Sequence, residues 1–224
     1  MSATAAPYGL RPVNLIGGQP YAGSTRLIKI ASGYASNIFN GDVVYIHSDG
    51  TLRKAVVTTS ITTPATSGIV GVFVGCTYTD PNLNIPVYKQ YWPTGTVASD
   101  AYGYVVDDPD VVMQVQADGT VAQTDLGTNI ALNAASGDTG TGNSTTSAVY
   151  NSGATTATLP LRIVGFVEST TSTVGDAYTD LLVKWNMPNA ASTSTSSSTG
   201  GITTTTTTTT ALVGGHAYLN PVGF

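Results

Sequence analysis

The sequence predicts an all-β fold: an antiparallel β-barrel or sandwich with extended N- and C-terminal arms and little helix. Three observations carry that expectation. Charged residues make up only 9% of the 224, against roughly 25% in ordinary soluble domains. With one glutamate, Glu168, and eight Lys plus Arg, there is little to wet the outer face of a helix. Threonine and the 25 glycines are instead abundant, and branched Thr packs well on a pleated surface while Gly serves turns. Hydrophobic residues reach 41%, so a core can form. A β-rich body of roughly 150 residues would bury about two-thirds of its unfolded surface.

The elements follow in order. Residues 1–24 read as an arm, "APYGLRP" and "IGGQPYAGS", in which Pro7 and Pro12 favour extended backbone. Tyr8, Leu10, Val13, Leu15 and Ile16 are too apolar for a solvated tail. Either they fold back on their own core or they lie on a neighbouring subunit. The body spans 25–187. "TRLIKIA" alternates as a half-buried strand does. "DVVYIHSDGTLRKAVV" is a hairpin about Ser48-Asp49-Gly50-Thr51. "GIVGVFVGCTYTD" is a buried strand whose glycines permit a bend or close packing. "IPVYKQYWP", "AYGYVVDD" and "DVVMQVQADGT" continue the pattern, and "TLPLRIVGFVES" and "AYTDLLVKWNM" close it. "DLGTNIALNAA" is a short helix or a loop. Residues 132–156, small, polar and glycine-rich, are a long surface loop or flap. After Met187-Pro188 the composition breaks. Residues 188–224 read as a Thr/Ser-rich tether, with eight consecutive threonines at Thr203–Thr210, ending in an apolar docking tail, "HAYLNPVGF".

The stretch "VVDDPDVVMQVQADGT" concentrates Asp107, Asp108, Asp110 and Asp118. An EF-hand loop needs glycine at position six and glutamate at position twelve. Counted from Asp108 those positions hold Met113 and Gly119. The aspartates therefore punctuate strand ends, as turn-forming carboxylates do, with a casual surface Ca²⁺ site as the alternative. Glu168 has no patterned carboxylate partner for glycosidase-type chemistry. His47 and His216 stand near no nucleophile motif. Two histidines and one cysteine cannot make a His/Cys zinc set without carboxylates, and no Gly-Lys-Ser/Thr phosphate loop occurs. The expectation is a protein that is not an enzyme and uses no cofactor.

The formal net charge of −5 argues against gripping nucleic acid or an anionic membrane. Lone Cys76 reads as a small buried filler and points to a reducing compartment. "MSATAAPYGL" has neither the basic nor the apolar region of a secretory signal, and the longest apolar run falls far short of the roughly 20 residues that span a bilayer. A soluble intracellular product is expected, unless it leaves the cell by lysis or within a larger particle.

Several stretches resemble a family of small structural proteins of tailed bacteriophages that infect aquatic bacteria. They are "APYGLRPVNLIGGQPYAGSTRLIKIASGYASNIFNGDVVYIHSDGTLRKA", "GIVGVFVGCTYTDP", "YVVDDPDVVMQVQADGT", "TLPLRIVGFVE" and "LLVKWNM". The segment "GDVVYIHSDGTLRKA…GIVGVFVG" is also similar to the β-barrel of capsid decoration proteins. The similarity covers roughly residues 6–187. It implies a cement (decoration) protein made in the host cytoplasm and carried on the exterior of the virion capsid. Such a protein binds the major capsid protein and itself, as a dimer or trimer, and touches neither nucleic acid nor membrane. The family has no catalytic residues to carry over. Residues Asn189–Phe224 extend beyond its common end near Asn186.

Interface candidates are Tyr8, Leu10 and Arg11 in the arm, Tyr88, Tyr91 and Trp92 in the body, and Tyr218, Leu219 and Phe224 in the tail. The alternative function is a virion appendage or fibre module that grips host-surface glycans, with Tyr91 and Trp92 as stacking platforms. A secreted adhesin is a third idea, which the lack of a signal opposes.

Overall fold

The structure, a computed structural model, describes residues 4–55, 69–133, 136–155 and 159–186, and the backbone of two strands beyond them. In chain order the strands are β1 (Arg11–Leu15), β2 (Arg26–Lys29), β3 (Val43–Ile46), β4 (Leu52–Lys54) and β5 (Ile69–Thr79). Then come β6 (Pro86–Lys89), β7 (Tyr102–Val106), β8 (Val111–Gln116), β9 (Asn129–Ile130) and β10 (Leu132–Asn133). The last are β11 (Ser147–Ala148), β12 (Leu161–Phe166), β13 (Asp180–Trp185), β14 (Ala191–Thr199) and β15 (Ile202–Thr210). Among the described residues helix is limited to two 3-10 turns, Gln123–Asp125 and Tyr150–Ser152. None is long and apolar enough to cross a membrane.

Two antiparallel sheets form a sandwich. One runs β1-β8-β13-β12-β9; the other runs β2-β7-β5-β3-β4, with β6 also paired to β5. The second sheet curls until Ile30, just after β2, bridges Leu52 at the start of β4, short of a closed barrel. This curl produces two cores. The first lies between the sheets and holds Val43, Ile69, Val72 and Val106 against Val111, Met113, Val115, Leu161, Ile163, Leu181, Val183 and Trp185. The second lies within the curl and holds Ile28, Ile30, Val44, Leu52, Val70, Phe73, Cys76, Tyr78, Trp92 and Val105. Strand β5 serves both cores, which is why it reads as a continuous apolar run rather than an alternating one. Its register slips against β7 between Phe73 and Gly75, and the bulge turns the strand so that its second half can pair with β6. At Gly71 a Cβ would sit 2.1 Å from the carbonyl oxygen of Val106, so only glycine lets β5 and β7 approach this closely.

The expected 42–57 hairpin is present as β3 and β4. The His47 amide donates to Thr51 O at 2.8 Å, and Asp49 Oδ1 accepts from the Thr51 amide at 2.9 Å. Of the stretch 125–135, expected as a short helix or a loop, the described residues 125–133 begin at the end of a 3-10 turn and then supply β9 and β10.

Two boundaries change. Within the expected arm at 1–24, the described residues are joined to the body, because β1 pairs with β8 and Leu10 is fully buried in the first core. The fold-back reading of this segment is the one the chain adopts. Nor is 132–156 a free flap: Leu132, Ser144, Thr146, Ser147 and Ala148 are all buried, and β10 pairs with β11. Hydroxyl residues there bury well because backbone and side-chain partners meet them. The Ser/Thr tract, expected as a tether, forms a ladder from Ala191↔Thr210 to Thr199↔Ile202, consistent with the strand preference of threonine. Tyr218, Leu219 and Phe224 of the docking tail lie outside the described residues.

Candidate interaction surface

The aspartates of 107–118 hold turns together. Asp107 pairs with Arg26 at 2.6 Å. Asp108 Oδ1 accepts from the Asp110 amide at 2.9 Å, and Asp110 faces Lys184 at 3.8 Å. Asp118 Oδ1 accepts from the Tyr150 amide at 2.8 Å. Each carboxylate points to a different partner. Among the described residues no group of three or more His, Cys, Asp or Glu is placed to hold a metal ion.

Other ionisable groups also have structural tasks. Asp49 caps its hairpin through Thr51 and Arg53, and the Thr51 hydroxyl above all holds its carboxyl below the usual range. Cys76 is buried, and desolvation pushes its thiol up to about 12, the behaviour of an inert filler. Asp42 is fully buried. Its Oδ2 accepts from the Phe39 amide and pairs with Lys54 Nζ at 2.9 Å, and its Oδ1 accepts from Ser144 Oγ at 2.6 Å. Ser144 also lies 2.9 Å from Thr146 Oγ1 and is sealed from solvent. This network fastens the 39–42 turn, β4 and the 144–146 segment to one another. Here Gly9 and Gly41 are in contact: a Cβ on Gly9 would lie 3.0 Å from Gly41 Cα.

Sequence reasoning chose three body aromatics, and the structure separates them. Trp92 is fully buried; its ring meets Tyr78 edge-on at 5.3 Å and its indole N–H donates to Tyr34 O. It is therefore a core residue and neither an interface nor a glycan platform. Tyr91 stacks on Phe39 at 5.5 Å and is half-buried. Tyr88 alone stands out, 75% exposed. In the arm, Leu10 is likewise core and cannot serve an interface, because β1 carries it under the first sheet. Tyr8 is half-buried, donating to Asp180 Oδ1 at 3.0 Å, with the Arg11 guanidinium 4.3 Å above its ring.

What the sheet brings together is a different surface. Register aligns Lys29 with Tyr102, Tyr102 with Thr77, and Thr77 with Tyr88. One step on, Leu27 aligns with Tyr104 and Tyr104 with Gly75. Directly paired residues share a face, so these side chains lie on the face of the six-stranded sheet turned away from the second core, the face that further along β7 carries Val106 into the first core. Leu27 is 53% exposed and Tyr102 40%. At its edge the face runs into a groove of about 490 Å³ lined by Val74, Tyr88, Lys89, Gln90 and Tyr104. That groove shares Asn40, Val74 and Gln90 with a second, of about 600 Å³, that reaches Arg11 and Tyr21. Tyr-Gly-Tyr at 102–104 signals such a face in principle: alternation puts both tyrosines on one side and glycine on the other. Leu27 could not be found that way, since an apolar residue in an alternating strand reads as inward-facing.

A separate depression of about 320 Å³ is lined by Asp118, Gly119, Thr120, Tyr150 and Tyr178. The ring of Tyr150 rests on Gly119, where a Cβ would lie 2.5 Å from it.

Compared with known proteins, the chain matches no family model, no curated protein and no solved structure.

Proposed function

We propose that this chain is a cement (decoration) protein of a tailed-bacteriophage head. It binds the outside of the capsid as an oligomer and stabilises the lattice of the major capsid protein. The observation that carries this reading is the open part of the sheet face bearing Leu27, Tyr102, Tyr104 and Tyr88, with Lys29 its one charge and Thr77 its polar neighbour. Tyrosines offer large, stiff, amphipathic contact area of the kind protein interfaces favour. The resemblance of residues 6–187 to phage structural proteins points the same way. An outer position suits a chain of net charge −5, which packaged DNA would repel. A ligand that binds only the assembled lattice adds its binding free energy to that state, and symmetric copies multiply the contacts. Shells assembled with and without the chain test the reading. Those lacking it should lose heat and osmotic resistance, and equal resistance would sink the proposal.

A second reading, a glycan-binding appendage, is favoured by the Tyr150 depression. There one ring face is supported by Gly119, with a carboxylate and a hydroxyl close by. It predicts glycan-array signal lost on Tyr150→Ala; a blank array with the intact chain removes it.

A further inference from the structure

We propose that residues 211–224 of the chain seat in its own joined groove, between β1 and the open face of the six-stranded sheet, as an extended, uncharged segment held by apolar contact. This contact lies within one chain and needs no shell.

The lining asks for an uncharged occupant. No acidic residue lines either half of the groove, and its two cations are engaged. Arg11 lays its guanidinium over the Tyr8 ring at 4.3 Å. Lys89 is paired with Cys76 and turns its ammonium to Tyr78, on the side of the second core. What remains is apolar surface from Pro12, Tyr21, Val74 and Tyr104, with the largely exposed Tyr88 beside it. Asn40, Gln90 and Asn143 add amides, which can both donate to and accept from a peptide backbone. Gln90 Nε2 donates to Asn143 Oδ1 at 2.7 Å, which orients both amides in the groove wall. A polypeptide with large apolar side chains and no charge is the complement of such a lining.

The chain carries one. "ALVGGHAYLNPVGF", residues 211–224, holds Leu212, Val213, Tyr218, Leu219, Val222 and Phe224 and no Asp, Glu, Lys or Arg. Its point of departure is close to the groove. Val183 and Pro12 both pair with Met113, so Pro12 stands two strand spacings, about 10 Å, from Val183. Eight residues after Val183, Ala191 pairs with Thr210, so the Ser/Thr ladder brings the chain back to where it left. Even with those eight residues fully extended, residue 211 starts within about 30 Å of Val183. The segment from 211 to 224 can span about 46 Å, enough to pass Pro12 and enter the groove. A tethered segment meets its own groove at a roughly millimolar effective concentration, far above that of other copies in dilute solution. The chain's own segment is therefore the favoured occupant over a second copy's.

The test uses the full chain with the photo-crosslinker p-benzoylphenylalanine in place of Tyr88, irradiated, digested and read by mass spectrometry. A second preparation carries it in place of Arg162, which is exposed on the other sheet and pairs with Lys184. Position 162 is nearer the origin of the segment, so contact by chance would favour it. Position 88 should crosslink to residues within 211–224, and position 162 should do so far less. In a mixture of unlabelled and nitrogen-15 chains the joined peptides should be all light or all heavy. The yield should persist at high salt, because no ion pair holds the segment. Leu219→Asp with Phe224→Asp should cut it about tenfold or more, since apolar contact is replaced by buried, unpaired carboxylates. These two positions lie outside both cores, so an unchanged melt of the variant would separate lost docking from lost folding. The proposal is overturned if position 162 crosslinks as well as position 88, or if position 88 joins nothing in 211–224. Light–heavy pairs would assign the groove to a second copy and overturn it equally, as would loss of the crosslink in salt. Every reading is taken without shells, so the cement reading stands or falls separately.

Discussion

The hydroxyl of Tyr8 donates to Oδ1 of Asp180 across 3.0 Å, joining residues 172 apart in sequence. Two further bonds reinforce the link: Gln116 accepts from the Ala6 amide at 2.8 Å and donates to Thr4 O at 3.2 Å. The segment before β1 is thus clamped onto β8 and β13. Tyr8→Phe should cost about 1 kcal/mol in urea unfolding, a charge-assisted hydrogen bond discounted for partial exposure. Deleting residues 1–15 should do far more, since it removes Leu10 and β1 and leaves the β8 edge unpaired. The truncated chain should lose cooperative unfolding, so its failure on shells would report folding, not docking.

Alkaline pH should weaken the fold through tyrosine. Burial, and for Tyr8 also the Asp180 charge, raises the phenol pKa of Tyr8, Tyr21 and Tyr34 above the ordinary value. The folded state then holds protons that the unfolded state releases. The stabilisation is full below about pH 10 and is lost as pH rises through the raised values. Urea midpoints taken from pH 8 to pH 11.5 should decline above about pH 10. The decline should be shallower for Tyr8→Phe, and an identical slope would show that this phenol does not contribute.

Replacing Lys54 by methionine should destabilise by about 3 kcal/mol, because the fully buried Asp42 carboxylate would lose its counter-charge. Ser144→Ala should cost about 1–3 kcal/mol by removing one donor to the same group. The double variant should cost less than the sum, as members of one network couple. Strict additivity in denaturant titrations would contradict the network.

Gly71→Ala should cost about 3 kcal/mol or more, because the methyl must displace the Val106 carbonyl from a 2.1 Å approach. Gly17→Ala, with nothing within 4 Å of its Cβ position, should be neutral within about 0.5 kcal/mol. Thermal melts of the two variants compare them directly.

Local chemistry made part of this fold readable. The Asp49 turn, the glycines of β5 and the buried Cys76 each depend on neighbours in sequence, and each stands where expected. Leu10 and Trp92 do not, because what covers them comes from far along the chain. Leu10 is held by Gly41, whose carbonyl accepts its amide at 3.0 Å, and Trp92 by Ile38 and Tyr78. An aromatic or apolar residue beside proline looks the same in a sequence whether it faces a partner or a core.

Trp92 and Tyr88 therefore separate core from contact, four residues apart. Trp92→Ala should cost about 3–5 kcal/mol, since it empties a fully buried site against Tyr78 and Ile38. Any loss of shell binding should follow that loss of folding and vanish where the variant remains folded. Tyr88→Ala removes a side chain 75% exposed and should shift stability by no more than about 0.5 kcal/mol. Its affinity for shells should nonetheless fall, because an exposed aromatic within a contact contributes more to binding than to folding. Paired melts and sedimentation of shells with each variant check both halves. A Tyr88→Ala chain that binds shells at parental affinity would move the contact to another face of the sandwich.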